Sequence, residues 1–307
     1  NSEQVLSGKD LQRISDEALP QLAARTALFA EVEPHQKERL IRSLHAGGQV
    51  VGYLGDGIND APALRAADVG ITVDSGVDVA REAADIVLLD KDLDVLLNGI
   101  REGRRTYLNT LKYILITTSA NFGNMFSLAG VSLMIPYLPL LPKQVLLLNF
   151  LSDVPAIFIA SDKVDPEMLE KPKKWNINLI RRFMFVFGAQ SSLFDYLTFA
   201  LLLLVFRVQE SVFQTAWFVE SVMTEVLILL VIRTTRRAWE SRPSRWLLLS
   251  GGVIVALTLL LPYLPFAPVL GFSPLPPGLL AGMAGIAVLY ALLSEYVKGR
   301  FFRYAPI

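Results

Sequence analysis

Near Asp92 the hydrophobic period of the chain changes. Before that point short apolar runs alternate with amphipathic ones. Ala27 to Val32, Val50 to Leu54, Val69 to Val73 and Ile86 to Leu89 read as strands, and Pro34 to Leu44, Asn59 to Ala67 and Val77 to Ala83 as helices. Such alternation implies a parallel sheet with covering helices. From about Asp92 the pattern becomes one long helix, amphipathic at first and apolar after Tyr113. Six segments, near 111–135, 143–161, 180–205, 212–232, 246–264 and 278–297, are apolar enough to cross a hydrocarbon core of about 30 Å, which takes roughly 20 helical residues.

The charges between these segments are lopsided. Lys171, Lys173, Lys174, Arg181 and Arg182 fall in one connection, Arg233, Arg236, Arg237, Arg242 and Arg245 in another, and Lys298, Arg300 and Arg303 after the last segment. The alternate connections hold only Lys143 and Arg207. An excess of Lys and Arg marks the cytoplasmic side, so residues 1–92 and both termini are expected there. The uncharged, proline-rich stretch from Pro262 to Pro277 is expected to be an extracytoplasmic turn without helix. Composition agrees with a membrane protein: 52% of the 307 residues are hydrophobic. There is no Cys, so no disulfide, and with six Met the chain offers few soft ligands for copper or zinc. A formal net charge of zero without a basic stripe interleaved with aromatics gives no reason to expect nucleic acid as a partner.

Candidate chemistry is concentrated in Gly55-Asp56-Gly57-Ile58-Asn59-Asp60-Ala61-Pro62-Ala63-Leu64. Two carboxylates stand in a glycine turn at the end of an apolar strand, where open α/β sheets place their chemistry. Asp56, between glycines that let the backbone turn tightly, suits a hard cation such as Mg²⁺, with Asp60 in support.

These ten residues resemble the hinge motif of P-type ATPases, cation pumps whose phosphorylation domain has the haloacid-dehalogenase fold. Pro34-His35-Gln36-Lys37-Glu38-Arg39 is similar to the segment that carries the family's phosphate-contacting lysine. The resemblance implies catalytic roles for Lys37, Asp56 and Asp60, with Lys37, Gly55, Gly57 and Asn59 at the phosphate and cofactor site. It also implies Mg²⁺ and ATP as cofactors, with most of the ATP-binding domain outside this chain. The family's phosphoryl-accepting DKTGT string and its TGES loop are absent; Asp90-Lys91-Asp92 and Asp162-Lys163-Val164 begin like the first and then diverge. The chain, which opens at Asn1 in mid-domain, is therefore expected to be the carboxyl-terminal part of a longer pump and, alone, not to be phosphorylated by ATP.

Within the predicted spans lie Asp153, Asp195, Glu220 and Glu225, with no Lys or Arg at comparable depth. A carboxylate at a helix centre costs about 2.5–3.5 kcal/mol on insertion scales, so such groups need a partner or a purpose. Asn149, Ser152 and Asp153 stand at i, i+3 and i+4 on one helix face, beside the carbonyl of Leu151 that Pro155 frees, and Asn121 and Asn124 stand at i and i+3. Amides and hydroxyls in membranes also simply join helices, a reading that stays open for Asn124 and Ser152. Asp195, next to Gln190 and Ser191, reads rather as an interhelix hydrogen bond; Glu220 and Glu225 stay open between ligand and interface; Glu295, near Lys298, reads as structural.

Six spans after the hinge resemble the pumps that move Ca²⁺, Na⁺/K⁺, H⁺ or Mg²⁺. The paired strings Ser119-Ala120-Asn121-Phe122-Gly123-Asn124 and Leu148-Asn149-Phe150-Leu151-Ser152-Asp153 are similar to the family's ion-binding helices, which implies Asn121, Asn124, Asn149 and Asp153 as ligands of the transported ion. The stretch from Asp162 through Asp165-Pro166-Glu167 and Trp175-Asn176-Ile177 to Arg181-Arg182-Phe183-Met184, and Ser191-Ser192-Leu193-Phe194-Asp195, resemble bacterial magnesium-translocating members. The expected fold is thus an α/β haloacid-dehalogenase-like partial phosphorylation domain (1–92), a stalk helix (93–110) and an all-α six-helix transmembrane domain (111–307), in a multi-pass protein of the bacterial inner membrane. The expected activity is ATP-driven Mg²⁺ transport, with lipid as surroundings and a divalent cation as cargo. A pump for Ca²⁺ or H⁺, a membrane-anchored phosphatase of the dehalogenase type, and a nonenzymatic regulatory subunit are the alternatives.

Overall fold

A computed structural model describes residues 4–90 and 92–304; the opening at Asn1, Lys91 of the Asp90-Lys91-Asp92 string and residues 305–307 lie outside the described residues. The chain forms two compact units, Asn1–Ile100 and Arg101–Ile307.

In the first unit strands and helices alternate in chain order: β1 (Gln4–Ser7), α1 (Gly8–Arg13), α2 (Leu19–Ala23), β2 (Thr26–Ala30), α3 (Pro34–Ala46), β3 (Gly52–Leu54), α4 (Ala61–Ala66), β4 (Val69–Val73), α5 (Asp78–Ala83) and β5 (Ile86–Leu88). Pairing is parallel throughout, as helix crossovers require. The strands do not join into the single sheet expected. β1 and β2 form one ladder, and β3, β4 and β5 another in that order. β4 is the central strand, with Gly70, Ile71 and Thr72 buried, whereas β3 has one edge without a neighbouring strand among the described residues, and Leu54 at its end is 39% exposed. Helix α3 starts on Pro34, whose missing N–H costs nothing in the first turn, and the Glu33 N–H donates to Gln36 Oε1 at 3.0 Å. Arg39 is consumed structurally: its guanidinium donates to the Leu11 and Ile14 carbonyls at 2.7 Å, satisfying the end of α1.

The second unit is helical. α6 (Leu93–Ser132) runs unbroken for 40 residues, the unit boundary falling within it, and is followed by α7 (Pro142–Ile157), α8 (Pro166–Leu169), α9 (Ile177–Ala200), α10 (Glu210–Ile232), α11 (Arg245–Leu260) and α12 (Pro277–Tyr304). Among the described residues five helical segments are long and apolar enough to cross a membrane: Pro142–Ser161, Ile177–Val205, Glu210–Ile232, Arg245–Tyr263 and Pro277–Tyr304. The first expected span, 111–135, falls on the second half of α6, where Thr117, Thr118, Ser119, Asn121 and Asn124 dilute the apolar surface. The stretch expected to lack helix contains 3₁₀ turns at Leu261–Tyr263 and Ala267–Leu270. Pro262 and Pro268 each sit in a first turn, where proline is tolerated, and Gln144 of α7 holds the Leu270 and Gly271 carbonyls at 3.3 and 3.1 Å.

Helix α10 is the hub, with 78% of its most apolar window buried against 28–44% for the other four segments. Phe213, Trp217, Phe218, Val219 and Val222 are at most 1% exposed. Between helices in lipid such contacts act through close packing, since lipid tails are themselves apolar. The α6–α9 crossing follows the same rule. A Cβ on Gly188 would stand 2.5 Å from the Phe122 ring and 3.1 Å from the Ser119 carbonyl, so only glycine allows this approach.

At one end of the unit a buried ionic group fixes the connection after α7. Asp162, wholly buried, accepts from Arg233 Nη1 at 3.1 and 3.2 Å, from Lys112 Nζ at 3.3 Å and from the Ser244 N–H at 3.1 Å. Nearby, Lys298 Nζ donates to the Val231 and Arg236 carbonyls at 3.0 and 2.7 Å and to Glu295 at 2.9 Å, capping the end of α10.

Candidate functional site

The glycine turn of the first unit lies between β3 and a 3₁₀ turn, Ile58–Asp60, that leads into α4. Gly55 is required there: a Cβ would come 2.5 Å from Asp60 Cβ. The Asp60 side chain folds back into the turn, where the Gly57 N–H donates to Oδ2 at 3.1 Å, while Lys37 Nζ and the Tyr53 hydroxyl both donate to Oδ1 at 2.7 Å. Burial alone would push this carboxyl up; the hydrogen bonds from Lys37, Tyr53 and Gly57 outweigh it and hold Asp60 below its ordinary range. Burial, and then the bond to Asp60, raise the Tyr53 phenol. Asp56 differs. Its carboxylate is exposed and, among the described residues, unpaired, while its backbone carbonyl accepts from the Val77 N–H at 3.0 Å. Asn59 is exposed on the same turn. Lys37 and Asp60 therefore come together directly as an ion pair, and Asp56 offers the open negative oxygens.

In the second unit Asn121 of α6, Asn149, Ser152 and Asp153 of α7, and Glu225 of α10 line one cavity of about 220 Å³, floored by Ala156 and Leu229. Asn124 lies behind it, donating through Nδ2 to Glu225 Oε1 at 2.6 Å. Ser152 donates to the Leu148 and Asn149 carbonyls within its own helix and also lies beside the Glu225 carboxyl. Two carboxylates, two amides and the hydroxyls of Ser152 and Thr117 on three helices, with no basic side chain in the lining among the described residues, make a site of oxygen ligands suited to a hard cation. From the sequence alone Glu225 is open between ligand and interface. Its signal is the i, i+4 spacing of Ser221 and Glu225, which puts a hydroxyl and a carboxyl on one face of α10. Asp195 and Glu220 are elsewhere. They are outside this lining, each 2% exposed, with Asp195 held by Ser127 of α6 and Trp217 of α10.

Residues 137–300 match the family model described as the C-terminus of cation transporting ATPases, and since that is more than half of the chain, the chain belongs to this family. Within it, the chain is 46% identical over 304 residues to a protein of Salmonella typhimurium (strain LT2) named magnesium-transporting ATPase, P-type 1, covering 97% of this chain and 34% of that protein. The protein of the same name from Escherichia coli (strain K12) is 46% identical over 305 residues, covering 98% and 34%. A calcium-transporting ATPase of Bacillus subtilis (strain 168) is 28% identical over 304 residues, covering 93% and 34%. The chain thus spans about a third of the length of these curated relatives.

Proposed function

We propose that this chain is the carboxyl-terminal part of a P-type ATPase that moves Mg²⁺ across a membrane through a phosphoenzyme. The observation that carries the reading is the cavity between α6, α7 and α10, where Asp153 and Glu225 meet Asn121, Asn149 and Ser152 without a base. Mg²⁺ dehydrates reluctantly and is held by one or two carboxylates among neutral oxygens and retained water, which this set provides. Asp153 and Asn121 are exposed on helices of the membrane unit, an arrangement that lipid would penalise, so we assign the open side of the cavity to helices from the part of the relatives that this chain does not span.

In this reading residues 1–92 are part of a haloacid-dehalogenase-like phosphorylation domain, 93–110 the stalk and 111–307 six transmembrane helices, α6 supplying the first. The unpaired edge of β3 takes a strand from the missing part, the one that bears the phosphoryl-accepting aspartate. Asp56 holds the catalytic Mg²⁺, Lys37 leaves Asp60 for the phosphoryl group, Asp60 supports the metal, and the turn at Gly55, Gly57 and Asn59 shapes the phosphate site. ATP binds mostly outside this chain. The Lys- and Arg-rich connections lie on the cytoplasmic side of a bacterial inner membrane, with the hinge and both termini. The test is uptake: the full-length protein should restore growth at low Mg²⁺ to cells lacking other magnesium transporters. Failure there, with ATP-dependent Ca²⁺ uptake in its place, would overturn the choice of ion.

A further inference from the structure

The cation cavity has a smaller neighbour. A second cavity, of about 20 Å³, lies along the same three helices, with Asn124 and Leu128 of α6, Leu148 and Asn149 of α7, and Trp217 and Ser221 of α10 in its wall. Ser221 stands one turn along α10 from Glu225. Asn149 lines both cavities, and Asn124, which lines the smaller, donates to Glu225 Oε1 of the larger at 2.6 Å. The two spaces therefore meet at a pair of amides.

The hydroxyl of Ser221 is the unusual member of this wall. A serine or threonine inside a helix commonly closes its hydroxyl onto a carbonyl one turn back. On α10 Thr215 does so to the Ser211 carbonyl at 2.7 Å, and Thr224 to the Glu220 carbonyl at 2.9 Å. Ser221 does not. It is 1% exposed, and its Oγ is buried without a hydrogen-bond partner among the described residues. A buried hydroxyl left unpaired is destabilising, so one that lines a cavity points to a ligand there. The other polar groups are suited to the same ligand. Asn124 uses Nδ2 on Glu225 and keeps its oxygen as an acceptor, and Asn149 brings both a donor and an acceptor. Trp217 Nε1 is already committed to Asp195, and the remaining lining is apolar. One hydroxyl and two amides around the space of a single water, with no carboxylate, fit a water, which takes about two to four polar partners, better than a bare metal ion.

We propose that Ser221, with Asn124 and Asn149, holds a water that Mg²⁺ retains when it occupies the larger cavity, and that Ser221 thereby sets the preference for Mg²⁺ over Ca²⁺. Mg²⁺ dehydrates reluctantly and keeps several of its waters, whereas Ca²⁺ accepts more protein oxygens in looser geometry. A hydrogen-bonding pocket for one retained water favours the first ion and is of little use to the second. The inference rests on the larger cavity being the cation site.

The test is ion binding to the full-length protein in lipid nanodiscs, without nucleotide and in an Asp56→Asn background so that the hinge turn takes no metal. Calorimetric titrations with Mg²⁺ and with Ca²⁺ give the ratio of the two affinities. Ser221→Ala removes the hydroxyl and keeps the space; it should weaken Mg²⁺ about tenfold, as for one lost hydrogen bond to a polarised water, and Ca²⁺ by about twofold or less. Ser221→Thr and Ser221→Val share a shape and differ in the hydroxyl, so the Thr variant should keep the stronger preference for Mg²⁺. Equal ratios in those two, or a wild-type ratio in Ser221→Ala, would overturn the role of the hydroxyl. Asp153→Asn in the same background tests the cavity itself: Mg²⁺ binding as tight as in its absence would remove the larger cavity as the cation site, whereas lost binding there beside an unmoved ratio in Ser221→Ala would remove only the role of Ser221. Should the Ser221 variants fail to fold, Mn²⁺, a hard cation that can stand in for Mg²⁺, can be bound to the protein with Ser221 intact. Pulsed electron paramagnetic resonance in D₂O should then find at least one coordinated water, and a fully dehydrated ion would overturn the proposal.

Discussion

In the first unit the Asp60 carboxylate has its own lysine at 2.7 Å, whereas in the second Asp153 and Glu225 share a cavity with two amides and two hydroxyls and, among the described residues, no base. The difference is one of purpose. A carboxylate answered by an internal ammonium is held in place, while carboxylates left without one keep oxygens open to a ligand, as the proposed cation site requires. Asp162, between Lys112 and Arg233 in the same unit as the cavity, shows that the second unit can answer an acid when the role is structural.

The largest break in this comparison is expected in the full-length protein from Asp56→Asn, which removes the open negative oxygens of the hinge turn. Phosphoenzyme formation from radiolabelled ATP should fall by about two orders of magnitude, as expected where a metal ligand is lost beside developing phosphoryl charge. Asp153→Asn should separate the sites. Mg²⁺ uptake should fall at least about tenfold, as for a differential binding loss above 1.4 kcal/mol, while phosphorylation by ATP persists. Normal uptake by this variant in cells without other magnesium transporters would falsify the assignment of the cavity. Asp162→Ala leaves Lys112 and Arg233 buried without their carboxylate and should destabilise the membrane unit by about 3–5 kcal/mol, read as a lowered midpoint of thermal unfolding in detergent. Gly55→Ala forces a Cβ against Asp60 and should cost the hinge unit about 1–3 kcal/mol, visible in its denaturant midpoint.

The smallest effect concerns pH. Asp60 ionises at lower pH when folded than when unfolded, so its contribution is fully present above the unfolded value of about 3.9 and is lost as pH falls through the lower folded value. Lys37→Met removes the paired ammonium and should flatten the acid limb of the hinge unit's stability curve. An acid limb as steep as in the wild type would show that the ion pair contributes little.

Much of this was legible in the sequence, and for identifiable reasons. The helices of the second unit announce themselves because a membrane admits only long, apolar, internally hydrogen-bonded segments; β4 coincides with the expected run from Val69 to Val73. Other features depend on partners distant in sequence. Nothing near Lys37 says that it will meet Asp60, 23 residues on, nor that Asp162, which opens a divergent DKTGT-like string, will become the buried anchor of two basic side chains. Division of the strands into two ladders was equally hidden, because strand periodicity reveals which residues face a core and not which edge finds a neighbour. Glu225 was ambiguous for the same reason: its depth was readable, but not that Asn124, 101 positions earlier, would hold its carboxylate at the rim of the cavity.

The buried ammonium of Lys298 has a consequence for the order in which the protein is made. It lies near the end of α12, and the carbonyls it satisfies, Val231 and Arg236, lie at the exit of α10. During synthesis α10 leaves the ribosome more than sixty residues before the group that closes its end, so the hub helix must wait, its terminal carbonyls met by water or an insertion partner, until the last helix arrives. Nascent chains arrested before residue 298 should therefore be cut more readily by protease at the 232–245 connection than chains arrested after it.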